Sequence, residues 1–146
     1  MAKEIDYPPV WLAGFAALGG LIGLIVPIST LVNDYVGAVL VAIGLILMCA
    51  AALQMMIART SVIPRRDPKA LIRTGLYRYS RNPIYLADAI VLAGLYVAWD
   101  ALIALPPVAV FMIIITRRFI LGEESRLSPI FGDGSLDYLA RTRLWL

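Results

Sequence analysis

Two long stretches without a single charged residue, 10–32 and 35–58, constrain this chain more than any other feature. A helix crossing the hydrocarbon core of a bilayer needs roughly 20 mostly apolar residues, and each stretch exceeds that. Inside lipid the backbone must satisfy its own hydrogen bonds, so such stretches fold as helices. Two shorter runs follow. Residues 84–98 are broken only by Asp88, and residues 101–116 carry Pro106 and Pro107. They read as a helical hairpin turning at Trp99-Asp100, its second arm kinked or delayed by the prolines. Pro27 is expected to kink the first span near its far end. The expected fold is all-α and integral to the membrane. It has about four transmembrane helices, the last two as a hairpin, and a cytoplasmic C-terminal helical segment.

Composition narrows the chemistry. Of 146 residues, 61% are hydrophobic and 16% charged, against roughly half and a quarter in soluble domains. There is no histidine, and Cys49 is the one cysteine. Zinc sites draw mostly on His and Cys, so no metal is expected. A serine triad or a histidine acid is excluded. Cys49, inside an apolar run, reads as a buried inert thiol. Gly132-Asp133-Gly134 reads as a turn, since no phosphate-binding fingerprint surrounds it. The amino terminus, with Glu4 and Asp6 ahead of the first span, lacks the pattern of a cleaved signal. The spacing of Gly19 and Gly23 suits close helix packing.

The basic residues set the topology. Arg59, Arg65, Arg66, Lys69, Arg73, Arg78 and Arg81 lie between the second and third spans. Arg117, Arg118, Arg126, Arg141 and Arg143 follow the fourth, and only Lys3 lies elsewhere. The positive-inside rule puts both segments and both termini in the cytoplasm. The same rule accounts for the basic loops without nucleic acid. Trp11 and Trp99 fall at span ends, where indoles prefer to sit.

Chemistry must be built where the two cytoplasmic segments cap the helices, because neither is long enough for its own core. The first contains Gly75, Tyr77, Arg78, Arg81, Asn82, Pro83 and Tyr85. Pro83 suits a first helical turn with Asn82 as its cap. The second contains Glu123, Glu124, Leu127, Phe131, Gly132 and Tyr138. Adjacent helical residues point about 100° apart, so one glutamate can face a site while the other pairs with Arg126 or an arginine of the first segment. Taken separately, these segments also read as an interfacial anchor and a solvated helix end.

Order and spacing together resemble the isoprenylcysteine carboxyl methyltransferase-like and phospholipid methyltransferase-like membrane enzymes. These share a Gly-x-Tyr-Arg-x-x-Arg-His-Pro-x-Tyr stretch entering a helix, then a hairpin, then a Glu-Glu pair, Leu, Phe-Gly and a spaced Tyr. The likeness covers residues 74–146. Asn82 stands where the prenylcysteine enzymes have His, Ser135 where another Tyr is usual, and Asp88 is unusual inside the third span.

The resemblance implies a single membrane-embedded methyltransferase domain over residues 1–146, with two N-terminal spans in 1–58 and a catalytic half in 59–146. It implies S-adenosylmethionine as cofactor, bound at the cytoplasmic face by Tyr77, Arg81, Asn82, Pro83, Tyr85, Leu86, Glu123 and Glu124. Arg118 and Glu123 are the catalytic candidates, with Arg118 orienting the acceptor. The acceptor is a lipophilic membrane molecule entering from the bilayer. A carboxylate, ionised without help, is favoured; an amine headgroup, which needs a base, comes next. Asp88 shares a predicted helix face with Tyr85 and Arg81 and pairs with one of them or touches substrate. Two rival readings are an NADPH-dependent membrane reductase of the sterol-reductase kind and a non-enzymatic membrane subunit.

Overall fold

Prolines decide where the helices start and stop. The computed structural model describes residues 6–63 and 66–146; Lys3, Glu4 and Arg65, which enter the topology and signal readings, lie outside the described residues. Helix α1, Pro8–Ile25, opens on a proline whose fixed φ suits the first turn. It ends well short of residue 32. Val26 precedes Pro27 and leaves the helix at φ −134°, and Pro27 has no N–H with which to continue the ladder. Pro27 therefore stops the span where a kink was expected. Helix α2, Asn33–Ile57, takes Asn33 and Asp34, which separate the two uncharged stretches, into its first turn.

Helix α3, Pro83–Ala98, is about 24 Å long at 1.5 Å per residue. Asp100, at φ 55°, reverses the chain as expected. A 3-10 turn, Leu102–Ala104, then leads into α4, Leu105–Ile115. Pro106 and Pro107 sit in the first turn of α4, where a helix has no N–H bonds to lose, so they delay the helix and do not bend it. At Thr116–Ile120 the helix widens into one π turn, closed by the Leu121 N–H on the Thr116 carbonyl. Short helices α5 (Leu121–Glu124), α6 (Leu127–Phe131) and α7 (Asp133–Arg141) follow. Among the described residues three helical stretches are long and apolar enough to cross a membrane: α1, α2 and the run Leu102–Phe131. Helix α3 is apolar but shorter.

Helix α3 is the hub, since α1, α2 and α4 all pack on it. The α2 seam is made of small residues seven apart: Gly37, Gly44 and Ala51, all buried. A Cβ on Gly44 would lie 3.0 Å from the Ala87 carbonyl, and one on Gly94 of α3 would lie 2.8 Å from the Val41 nitrogen. Backbone approaches this close are how apolar helices associate without a hydrophobic driving force. On α1, a Cβ at Gly19 would collide with the Tyr96 ring, whose hydroxyl donates to the Phe15 carbonyl at 2.6 Å. Leu92, Tyr96, Phe111, Ile115 and Phe119 fill the centre. Leu24, Leu31 and Ile46 are exposed on the outside, as lipid-facing residues are. Cys49 joins them: it is exposed, against the expectation of a buried thiol, because α2 buries only its glycine seam.

Polar groups gather at both ends of the bundle. At one end the Asp100 carboxylate accepts from Ser29 Oγ and Asn33 Nδ2, each at 2.7 Å, and its carbonyl accepts from the Ile28 N–H at 2.8 Å. These hydrogen bonds hold the Asp100 carboxyl below its ordinary range, with Ser29 the larger cause. The start of α1, the end of α2, residues 60–63 and 66–82 and the C-terminal segment meet at the other end.

Candidate active site

Gly75 begins the arrangement. Its φ of +60° favours glycine, and a Cβ there would run into the Gln54 side chain from the last turns of α2. The Leu76 N–H donates to Gln54 Oε1 at 3.1 Å, which fixes the segment against α2. The 3-10 turn that follows, Gly75–Arg78, buries Tyr77. Tyr138 of α7 donates its hydroxyl to the Tyr77 carbonyl at 2.8 Å. The Arg81 N–H bonds the Arg143 carbonyl at 2.9 Å, and its guanidinium reaches the Leu139 carbonyl at 3.3 Å. Pro83 opens α3 as expected. Asn82 occupies the capping position, but its side chain makes no cap hydrogen bond: Nδ2 donates to the Leu144 carbonyl at 3.2 Å, and the amide also hydrogen-bonds Glu124.

The glutamates come from the far side of the hairpin. A π turn inserts a residue into the helix, so α5 is rotated by about 100° from the course an unbroken α-helix would take. Glu123 Oε1 accepts from the Tyr85 hydroxyl at 2.7 Å. Glu124 Oε1 lies 3.2 Å from Arg81 Nε. Those two atoms are buried and are not aligned as a hydrogen bond, so charge alone holds the pair. Each carboxylate thus meets its own partner from the first segment, as the 100° offset requires.

Around these pairs lies a cavity of about 530 Å³, within the ~300–1,000 Å³ typical of small-molecule sites. Its polar lining includes Tyr77, Arg81, Asn82, Tyr85, Glu123 and Glu124, and Arg66 and Tyr138 contribute as well. Its apolar wall comes from Met48, Ala52 and Met55 of α2 and from Pro8 and Pro9 of α1. Burial pushes the Tyr77 phenol above its ordinary value, reinforced by Tyr138 and Glu123. Burial likewise pushes Tyr138 up to about 12, with Arg81 opposing and Glu124 adding. Both phenols stay protonated at neutral pH and act as donors, not bases.

Most of the residues singled out from sequence meet here. Tyr77, Arg81, Asn82, Pro83, Tyr85, Glu123, Glu124 and Asp88 all line the one cavity. Leu86, one position round the helix from Tyr85, does not; Ile84 does. Arg118 does not either. It pairs with Asp6 at 2.9 Å, lies 5.1 Å from the Trp11 ring centre, and lines a separate groove with both. The expected pairing of Asp88 with Tyr85 or Arg81 is also absent. Arg81 precedes α3, and both candidate partners bond the glutamates. Sequence reasoning missed Arg66, Gln54 and the α2 wall; a glutamine near the end of an apolar span was the one signal that pointed to them.

A family model described as phospholipid methyltransferase matches residues 32–134, from the start of α2 to the start of α7. No curated protein and no solved structure matches the chain.

Proposed function

Because the chain belongs to the phospholipid methyltransferase family, we propose that its cavity binds S-adenosylmethionine and passes the methyl group to a lipid acceptor in the membrane. The supporting observation is the joining of two segments about 40 residues apart through Tyr85–Glu123 and Arg81–Glu124 at the cavity. When bound, this cofactor supplies an activated methyl on a sulfonium. The chain has to bind, orient and exclude water. Glu123 and Glu124 suit the ammonium of the methionine portion, and Arg66 or Arg81 its carboxylate. The rings of Tyr77 and Tyr85 suit a cation or an adenine face. Arg118 is left out of this set, because it faces the Asp6 groove.

The catalytic half is residues 59–146, and the two N-terminal spans complete one domain by walling the cavity. Both termini and the cofactor mouth face the cytoplasm, the side to which the basic residues point. The acceptor enters from the bilayer along the α2 wall, whose Met48, Ala52 and Met55 match acyl chains. Of the two acceptor chemistries, the amine headgroup is the better match. Three carboxylates, Asp88, Glu123 and Glu124, line the cavity against two guanidiniums, Arg66 and Arg81. With one guanidinium given to the cofactor carboxylate, the remaining balance favours a cationic acceptor.

Calorimetric titration with S-adenosylhomocysteine and with NADPH tests this reading. Binding of the former alone is expected. Binding of NADPH alone would mean a reductase, and binding of neither a non-enzymatic subunit. Labelled methyl appearing only on water-soluble acceptors would remove the lipid from the proposal.

A further inference from the structure

Asp88 is the one carboxylate of the cavity that no other group explains. It sits one turn past Tyr85 on α3, about 4.5 Å further along the axis. Its relative exposure is 6%, and it lines the cavity. Among the described residues it has neither a hydrogen-bond nor an ion-pair partner, while Tyr85 and Arg81 are committed to Glu123 and Glu124. A carboxylate inside a span is costly and is ordinarily paired or functional. The two glutamates are engaged at the polar mouth, so Asp88 is the carboxylate left for a second cation deeper in, beside the apolar α2 wall.

We propose that Asp88 receives the methyl acceptor: its carboxylate holds the ammonium of a lipid headgroup and takes that group's proton as the nitrogen is methylated. This rests on the methyltransferase reading and assigns a catalytic residue within it. The headgroup ammonium gives one proton to Asp88. The freed nitrogen lone pair bonds to the methyl carbon, and the carbon–sulfur bond breaks with its electron pair left on sulfur. The product nitrogen carries the positive charge that the sulfonium gave up, and Asp88 returns its proton to solvent. No other reactant is needed. The absence of histidine makes this assignment economical, because the buried phenols of Tyr77 and Tyr138 are held protonated.

The full chain is assayed in vesicles of phosphatidylethanolamine and phosphatidylglycerol with labelled S-adenosylmethionine, as wild type, Asp88→Asn and Asp88→Glu. Asp88→Asn is expected to lower kcat about 100-fold at pH 7, the usual contribution of a general base. The deficit shrinks toward pH 9.5, where more of the amine is already deprotonated. Asp88→Glu keeps activity within about tenfold. S-adenosylhomocysteine affinity stays within about twofold in both variants, which also reports that they fold. In calorimetry on the S-adenosylhomocysteine-loaded protein, dihexanoylphosphatidylethanolamine binds about tenfold more weakly to Asp88→Asn, because the amide oxygen can accept from the ammonium but carries no charge to pair with it. An Asp88→Asn enzyme as active as wild type at pH 7, a deficit unchanged by pH, or a parallel fall in S-adenosylhomocysteine affinity would overturn the assignment. So would a wild type that binds S-adenosylhomocysteine but methylates no amine lipid, with the methyltransferase reading left standing. A wild type that binds no S-adenosylhomocysteine removes that reading, and the assignment with it.

Discussion

The two polar ends of the bundle use the same means to different ends. At the Asp100 end, Ser29, Asn33 and the Ile28 N–H converge on one aspartate, and its hydrogen bonds are well formed. At the Glu123–Glu124 end, hydrogen bonds again tie distant segments together, but around a cavity, and not all groups are satisfied. Arg81 and Glu124 are close without being aligned, and Asp88 has no protein partner among the described residues. A saturated clasp contributes stability and leaves nothing to offer a ligand. An under-satisfied one costs stability, and that cost is tolerated where a ligand completes it.

The sharpest way to break this contrast is to remove charge from the cavity. Glu123→Gln keeps the shape and loses the ionised partner of Tyr85. Hydrogen bonds to charged groups are worth about 1.5–3 kcal/mol, so S-adenosylhomocysteine affinity should fall roughly 10- to 150-fold in calorimetry. Thermal unfolding in detergent should change less, because the amide oxygen still accepts from the Tyr85 hydroxyl. A variant that unfolds early yet binds normally would make the mouth a second clasp.

The next effect is on packing between the two ends. Gly44→Val places side-chain atoms against the Ala87 carbonyl and Val91. Overpacking of this kind costs about 1–3 kcal/mol, read as a lower midpoint in thermal unfolding. If Gly44→Val is neutral, α2 is not held to α3 by backbone approach, and the cavity wall it carries is free to shift.

Part of this was open to inspection in the sequence. The two long spans needed only their lack of charge, Pro83 and the Asp100 turn followed from local chemistry, and the partnership of the two polar segments came from the family resemblance. Other features depended on tertiary packing. Pro27 can kink or stop a helix according to whether neighbours cover the freed backbone groups, and here the chain leaves the helix at Val26. The π turn at Thr116–Ile120 has no compositional mark, because an i→i+5 bond replaces an i→i+4 bond under packing. Asp88 was assigned a helical neighbour in Arg81, but Arg81 lies before α3. The Gly37–Gly44–Ala51 seam is visible at a spacing of seven only once a partner helix is known.

Tyr138→Phe sharpens the contrast from within the site. It removes the hydroxyl that satisfies the buried Tyr77 carbonyl, and an orphaned buried acceptor costs about 1–3 kcal/mol. The Tyr138 phenol is pushed up to about 12, above its unfolded value near 10. The stability tied to its neutral form is therefore complete below pH 10 and lost as pH rises toward 12. The gap between wild type and Tyr138→Phe should narrow over that range in unfolding measured against pH.

Asp100 runs the other way. Its carboxyl is held below its ordinary value, so its contribution is present above about pH 4 and lost as pH falls through the folded value. Asp100→Asn should lower the unfolding midpoint at pH 7 and converge with wild type in acid, with S-adenosylhomocysteine affinity unchanged at pH 7. An affinity loss would mean that the two ends are coupled through α3.

Arg118 gives the smallest expected effect and the cleanest separation of position from resemblance. Its place five residues before Glu123 suggested acceptor orientation, yet it is half exposed, paired with Asp6 and stacked near Trp11. Exposed ion pairs contribute about 0–1 kcal/mol, and a cation over an indole at an exposed site about 0.5–1 kcal/mol. Arg118→Ala should therefore shift the unfolding midpoint slightly and leave turnover within about twofold, because neither interaction opens onto the cavity. Arg118→Ala with normal stability and a large loss of turnover would require the groove of Asp6, Trp11 and Arg118 to join the cavity during the reaction. The start of α1 would then move with the substrate and would not simply wall it off.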